Sequence, residues 1–166
     1  TMYIVIGEDA LGCSDVDTVN VTINPLPSVI ASVDTTICLG DSVNISATST
    51  VGVYNWDNAL GAGQQHQVAP SFLTSYIVSV TDFIGCSGVD TVIVGINSLP
   101  SVIASIDTSI CIGNTANISA TSSVGFYTWD NGLGTGQQHT VSPPLLTSYI
   151  VSVSDLNNCI GSDTVN

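Results

Sequence analysis

The sequence predicts an all-β protein built of tandem repeats, and three observations carry that prediction. The chain is rich in Val, Ile and Thr and has no Lys or Arg in its 166 residues. Branched side chains favour strands, and the charged helix formers are scarce. Apolar residues alternate with period two, as in Ser42-Val43-Asn44-Ile45-Ser46-Ala47, which is the strand period and not the helical one. Finally, Pro27-Ser28-Val29-Ile30-Ala31-Ser32 returns as Pro100-Ser101-Val102-Ile103-Ala104-Ser105, a shift of 73 residues that holds without a gap.

The repeat fixes the domain organisation. From Pro27/Pro100 to Ile93/Asn166, 45 of 67 pairs are identical, and residues 1–26 match 74–99 at 16 positions. Residues 1–26 are therefore expected to be the C-terminal part of one repeat, 27–99 a complete repeat, and 100–166 a repeat lacking its last few residues. The sequence reads as a window on a longer array. Asn24-Pro25-Leu26-Pro27 and Asn97-Ser98-Leu99-Pro100 are the linkers. Proline there blocks ladder pairing and stiffens the passage between units.

Within 27–99 the elements follow in order. Strands are predicted near 28–33, 35–38, 42–49, 53–57, 64–69, 74–81 and 87–96. Turn signals separate them at Leu39-Gly40-Asp41, Val51-Gly52, Leu60-Gly61-Ala62-Gly63 and Ile84-Gly85. Gly12, Gly85 and Asn158 precede the last cysteine of each repeat. These residue types tolerate a left-handed conformation, so a hairpin is predicted there. Seven short strands with turns every 8–12 residues indicate an Ig-like β-sandwich. Trp56 and Trp129 sit mid-strand and are expected in the core, as are Tyr76 and Tyr149. The latter two, with Tyr3, open the penultimate strand, where a tyrosine corner is expected.

The composition also excludes functions. The formal net charge is -13, with 13 acidic groups and 2 His. Nucleic-acid binding needs cations to neutralise phosphate. P-loops, Schiff-base chemistry and arginine clamps need Lys or Arg as well. No apolar run reaches the length of a membrane span.

Thr36-Ile37-Cys38-Leu39-Gly40-Asp41-Ser42-Val43, Tyr54-Asn55-Trp56-Asp57-Asn58, Thr74-Ser75-Tyr76-Ile77-Val78-Ser79-Val80-Thr81-Asp82 and Gly85-Cys86-Ser87 resemble the tandem Ig-like/PKD-like repeats of giant surface proteins in Bacteroidota. The Asn-Pro-Leu-Pro linker is similar to the linkers of those arrays. The resemblance spans the whole chain. It implies type IX secretion, a cell-surface location, and a role as adhesin, motility filament or spacer stalk.

In such a surface array the five cysteines read as disulfides. Their spacing alternates 25, 48, 25, 48, with no CxxC and no nearby His to suit a metal. Two pairings stay open. One is within a repeat, Cys38–Cys86 and Cys111–Cys159. The other crosses a junction, Cys38–Cys159. An Ig-like path puts Cys38 and Cys86 at opposite ends of a domain, roughly 33 Å apart at strand rise, whereas a disulfide needs Cα atoms within about 7 Å. Cys13 would then pair outside this window.

The aspartates recur at fixed positions: 9/82/155, 17/90/163 and 34/107. Asp15, Asp17 and Asp90 are weak calcium candidates at a domain junction, against a simpler role as turn-forming and solubilising residues. Self-repulsion in a chain without cations points to a saline habitat. His66 and His139, each in Gln-Gln-His-x-Val, are expected on strand surfaces. No nucleophile elbow accompanies Ser, His and Asp, so no enzyme is expected, nor any cofactor. Thr18, Thr35, Ser42, Thr91 and Thr164 follow Asp and precede Thr or Val. They resemble O-glycosylation acceptors of Bacteroidota. Asn20, Asn44 and Asn117 match Asn-x-Ser/Thr.

The function these readings imply is a structural segment of a long extracellular adhesive filament or stalk. Its partners would be further copies of the repeat in cis, identical chains where stalks assemble laterally into a multi-stranded fibre, and a surface ligand on other cells or substrata. The alternative is a glycan- or protein-binding module acting through the repeat loops.

Overall fold

The computed structural model describes residues 1–124 and 126–166, and every regular element among them is a β-strand. Residues 1–26 give one antiparallel hairpin, β1 (Met2–Glu8) and β2 (Ser14–Asn20), in register from Met2↔Asn20 to Glu8↔Ser14. The middle repeat supplies β3 (Val29–Ala31), β4 (Thr35–Cys38), β5 (Val43–Ser49), β6 (Val53–Trp56), β7 (Gly61–Ala62), β8 (Gln65–Val68), β9 (Thr74–Thr81) and β10 (Ser87–Asn97). The last repeat supplies β11 (Val102–Ala104), β12 (Ala116–Ser122), β13 (Phe126–Trp129), β14 (Gly134–Thr135), β15 (Gln138–Val141), β16 (Tyr149–Ser154) and β17 (Ile160–Val165).

In the middle repeat the strands form sheets ordered β3-β5-β8 and β4-β10-β9-β6-β7. In the last they form β11-β12-β15 and β14-β13-β16-β17. Two antiparallel-dominated sheets per repeat make an Ig-like β-sandwich. The parallel exception is β4 on β10, from Thr35↔Val94 to Cys38↔Asn97. The backbone falls into two compact units. One comprises Thr1–Ala31, Ser46–Gln64 and Ile77–Thr91, the other Ser32–Ile45, Gln65–Tyr76 and Val92–Asn166.

Alternation places the core. In β9, Tyr76, Val78 and Val80 are buried while Ser75 and Ile77 face out. In β16, Tyr149, Val151 and Val153 repeat the pattern. Ile45 and Ala47 of β5 match Ile118 and Ala120 of β12. In the last repeat Ile118, Ala120, Trp129, Val141, Tyr149, Val151 and Val165 form one cluster. Trp129 is 3% exposed and Trp56 2%. Each indole N–H still finds an acceptor, Gly136 O or Gly63 O, at 2.9 Å, as a buried Trp requires.

Three features differ from the sequence expectation. The strand over 28–33 shortens to three residues, because the chain crosses to the other sheet at 32–34. Gly61-Ala62, read as turn, pairs instead with Trp56 and Asn55. Residues 108–111, the counterparts of β4, do not form a strand. The partner of β4 is Val94–Asn97. Only the first rung, Thr108 N–H to Asn166 O at 3.0 Å, is present.

Candidate functional site

The residues singled out by the repeat converge on the hairpin turns and the sheet crossing. In each hairpin an Asp and a Cys close the turn. Asp9 Oδ1 accepts from Leu11 N and Cys13 N at 2.8 and 2.9 Å. Asp82 does the same for Ile84 and Cys86, and Asp155 for Asn157 and Cys159. The Asp amide donates to the Cys carbonyl in all three turns. The residue before each cysteine is left-handed: Gly12 at φ 81°, Gly85 at 94°, Asn158 at 62°. This is the hairpin that those residue types predicted. The amides of Cys13 and Leu11 hold the Asp9 carboxyl below its ordinary pKa.

At the other end of the repeat, the cysteine ends β4 and enters a tight turn. Cys38 O accepts from Asp41 N at 3.0 Å, and Cys111 O accepts from Asn114 N at 3.0 Å. Gly40 and Gly113 take φ 96° and 88° there. Cys38 is bonded to Cys159 with a Cα separation of 5.5 Å, across 121 residues. The pairings Cys38–Cys86 and Cys111–Cys159 do not form. Cys38 lies opposite Asn97 at one end of β10, whereas Cys86 immediately precedes Ser87 at the other. The eleven residues of β10 span about 36 Å at strand rise, beyond the reach of a disulfide. Cys159 is fully buried. Cys13, Cys86 and Cys111 are free thiols, the first and last exposed.

The recurrent aspartates bridge a gap that the topology creates. Between β3 and β4 the chain changes sheets, so amides near the crossing lose their ladder partners. Asp90 Oδ2 accepts from Ala31 N at 2.8 Å and Oδ1 from Thr91 N at 2.8 Å. Asp163 serves Ala104 and Thr164 in the same way. Asp34 Oδ1 accepts from Ile93 N and Asp107 Oδ1 from Asn166 N. The Ala31 amide, then the Thr91 amide, lower the Asp90 pKa; Ala104 and Thr164 lower that of Asp163. The Asn166 amide, then its side chain, lower that of Asp107. This clamp escaped the sequence reading, although the paired recurrence of 34 with 107 and 90 with 163 was its signal.

The calcium candidates lie apart in function. Asp15 Oδ1 and Asp17 Oδ1 accept from Val16 N and Thr18 N, the next residue in each case, and Asp90 is engaged with two amides. Among the described residues no three His, Cys, Asp or Glu side chains gather. His66 and His139 are half-buried, and the His139 ring lies edge-on to Trp129 with centroids 6.0 Å apart. Of the glycosylation candidates, Thr18, Ser42, Thr91 and Thr164 are exposed and Thr35 half-buried. Tyr76 and Tyr149 are buried, 6% and 8% exposed. Tyr54 and Tyr127 tie the backbone through their hydroxyls. Each accepts from the amide five residues upstream, Ser49 N at 2.7 Å and Ser122 N at 2.8 Å, and donates to the same residue's carbonyl.

No family model matches the chain. No curated protein matches it either. Among solved structures, a two-domain crystal structure of DIP-gamma IG1+IG2 is similar at 13% identity, covering 86% of this chain and 96% of that one, with a TM-score of 0.38. The N-terminal eight Ig domains of Down Syndrome Cell Adhesion Molecule match at 10% identity and TM-score 0.43, over 99% of this chain and 30% of that one. A Ca2+-stabilised adhesin that helps an Antarctic bacterium reach out and bind ice matches at 15% identity and TM-score 0.37. This chain covers 55% of it.

Proposed function

We propose that the chain is a load-bearing segment of an extracellular, cell-surface adhesive filament or stalk, exported as the cargo of a type IX system and built from Ig-like domains of a 73-residue repeat, with 1–26 the C-terminal part of one, 27–99 a complete one and 100–166 one lacking its last few residues. The observation that carries this reading is the disulfide from the end of β4 in one repeat to the hairpin turn of the next. Disulfides persist in oxidising compartments outside the cell. Without Lys, isopeptide crosslinks are unavailable, so cysteine is the covalent staple open to this chain. Near-identical repeats suit a spacer whose units share one mechanical task. The adhesive partner is a surface ligand on other cells or substrata, presented away from the cell by the array.

The staple defines how force travels. Tension applied at the two ends enters at Cys38 and leaves at Cys159, bypassing the 120 residues from Leu39 to Asn158. Those residues are extensible only after the disulfide is reduced. Single-molecule pulling on the chain from both termini checks this. The fully unfolded oxidised chain is expected to be shorter than the reduced chain by about 40 nm, at about 3.5 Å per residue. Equal contour lengths with and without reductant would remove the load-bearing role. Electron microscopy of the parent filament at physiological salt then separates single beaded strings from laterally assembled fibres.

A further inference from the structure

We propose that the outer face of β6, β9 and β10, and its counterpart on β13, β16 and β17, is a lateral contact surface whose partner is a second copy of this chain. Strand alternation sorts the side chains. The first face presents Val53, Ile77 and Val89, and the second Phe126, Ile150 and Ile160, all between 43% and 79% exposed. The first three residues lie in one compact unit and the last three in the other, so each face stands by itself. Among these apolar residues sit small polar ones. Asn55 is opposite Ser79, and Thr128, Ser152 and Ser162 form one cross-strand row.

No outward position on these six strands carries a charge. Asp90 and Asp163 belong to β10 and β17 but point inward, to the amides of Ala31 and Ala104. The other carboxylates of both repeats sit in turns or at the sheet crossing. Asp57 and Asp130 are the nearest, at the rim, where each accepts from the amide of Ile77 or Ile150 at 2.9 Å.

Charge selects the occupant. The chain has a net charge of -13 and no Lys or Arg, so a cationic partner is drawn to the turns and not to this face. Two copies repel one another through those same turns. The approach with the least repulsion sets neutral face against neutral face. The opposite sheet of the middle repeat is neutral as well, but its outward residues on β5 and β8 are polar: Asn44, Ser46, Thr48, Gln65 and Gln67. Burial of apolar surface therefore favours the first face.

Area sets the strength. Three strands of about six residues present about 14 by 20 Å, or about 280 Å². A standard interface uses about 800 Å² per partner. One repeat is too small to hold a partner, and lasting contact needs several repeats of each chain at once. The inference rests on the stalk reading for its biological role, since it names how stalks would join side by side.

The test is sedimentation of the oxidised chain, its free thiols alkylated, at up to about 1 mM and in about 0.05 to 1 M sodium chloride. The weight-average mass is expected to rise with concentration, and more steeply in high salt, which screens repulsion and leaves apolar burial intact. Val53→Asp with Phe126→Asp places a charge on each face and should lower the association constant about tenfold or more. Gln65→Glu with Gln138→Glu adds the same charge to the opposite sheets and should change it less than about threefold. Association that the first pair leaves intact, or that both pairs reduce equally, would overturn the proposal. So would a chain that stays single throughout, or association that weakens as salt rises. A single stalk bears load without this contact, so the contour lengths measured by pulling fail or hold independently of it.

Discussion

Ala59 holds φ at +61°, where the next repeat has Gly132 at +76°. A left-handed alanine costs about 1–2 kcal/mol, and glycine costs about half of that in lost chain entropy. Ala59→Gly is expected to stabilise the protein by roughly 0.5–1 kcal/mol, read as a rise in denaturant midpoint. The reverse holds at Gly161, where an added Cβ would run into Pro100 O, as one at Gly88 would into Pro27 O. Both prolines are buried, so the obstacle is fixed backbone. Gly161→Ala should cost about 1–3 kcal/mol in the same measurement. The left-handed Gly12, Gly85 and Asn158 were legible in the sequence because residue type and turn agree. Ala59 was not, because nothing in an alanine announces a positive φ. The linker prolines were legible as breaks in pairing. Their carbonyls' seat on Gly88 and Gly161 was not, because that contact joins positions about sixty residues apart.

At the scale of elements, alternation gave most strands to within a residue or two, and it gave the buried Trp and Val positions. It did not give the clamp at the sheet crossing. There the pattern is one of hydrogen bonds between carboxylates and distant amides, which hydropathy does not record. The clamp has a pH signature. Asp90, Asp107 and Asp163 have folded pKa values below the unfolded one. The unfolded chain thus binds protons more readily, and the stability these groups add is present above the unfolded carboxylate range. It is lost as the pH falls through about 4 and below. Thermal melts from neutral pH downward are expected to show that loss. Asp163→Asn should lower the melting point at neutral pH and flatten the acid limb. An unaltered acid limb would mean that the carboxylate contributes nothing through its charge.

For the whole molecule, the covalent staple and the net charge of -13 set the behaviour. Closing a 121-residue loop restricts the unfolded chain, and Cys159→Ser is expected to cost about 3–5 kcal/mol, measured by denaturant unfolding against the oxidised parent. Thirteen acidic groups with no Lys or Arg to offset them repel one another over the Debye length, so added sodium chloride should raise the melting temperature. Calcium at matched ionic strength adds a further rise only where carboxylates share an ion, which makes that comparison the assay for the acidic candidates. The choice between the two cysteine pairings depended on which strand ends meet. The sequence carried the distance argument against Cys38–Cys86 but not the parallel register of β4 on β10, which settles it.

The staple also changes what a broken backbone means. Cys38 and Cys159 lie 121 residues apart while the repeat is 73 long, so the bond reaches past a full unit. A single cut anywhere from Leu39 to Asn158 leaves the two pieces tied together, as a splice keeps a rope whole when one yarn parts. If each repeat in a longer array carries the same bond, neighbouring splices overlap, and no single peptide bond between them is indispensable. A polymer exposed for long periods to proteases would then part only after cuts in several successive segments between cysteines, and its lifetime would be set by the density of cuts rather than by the first.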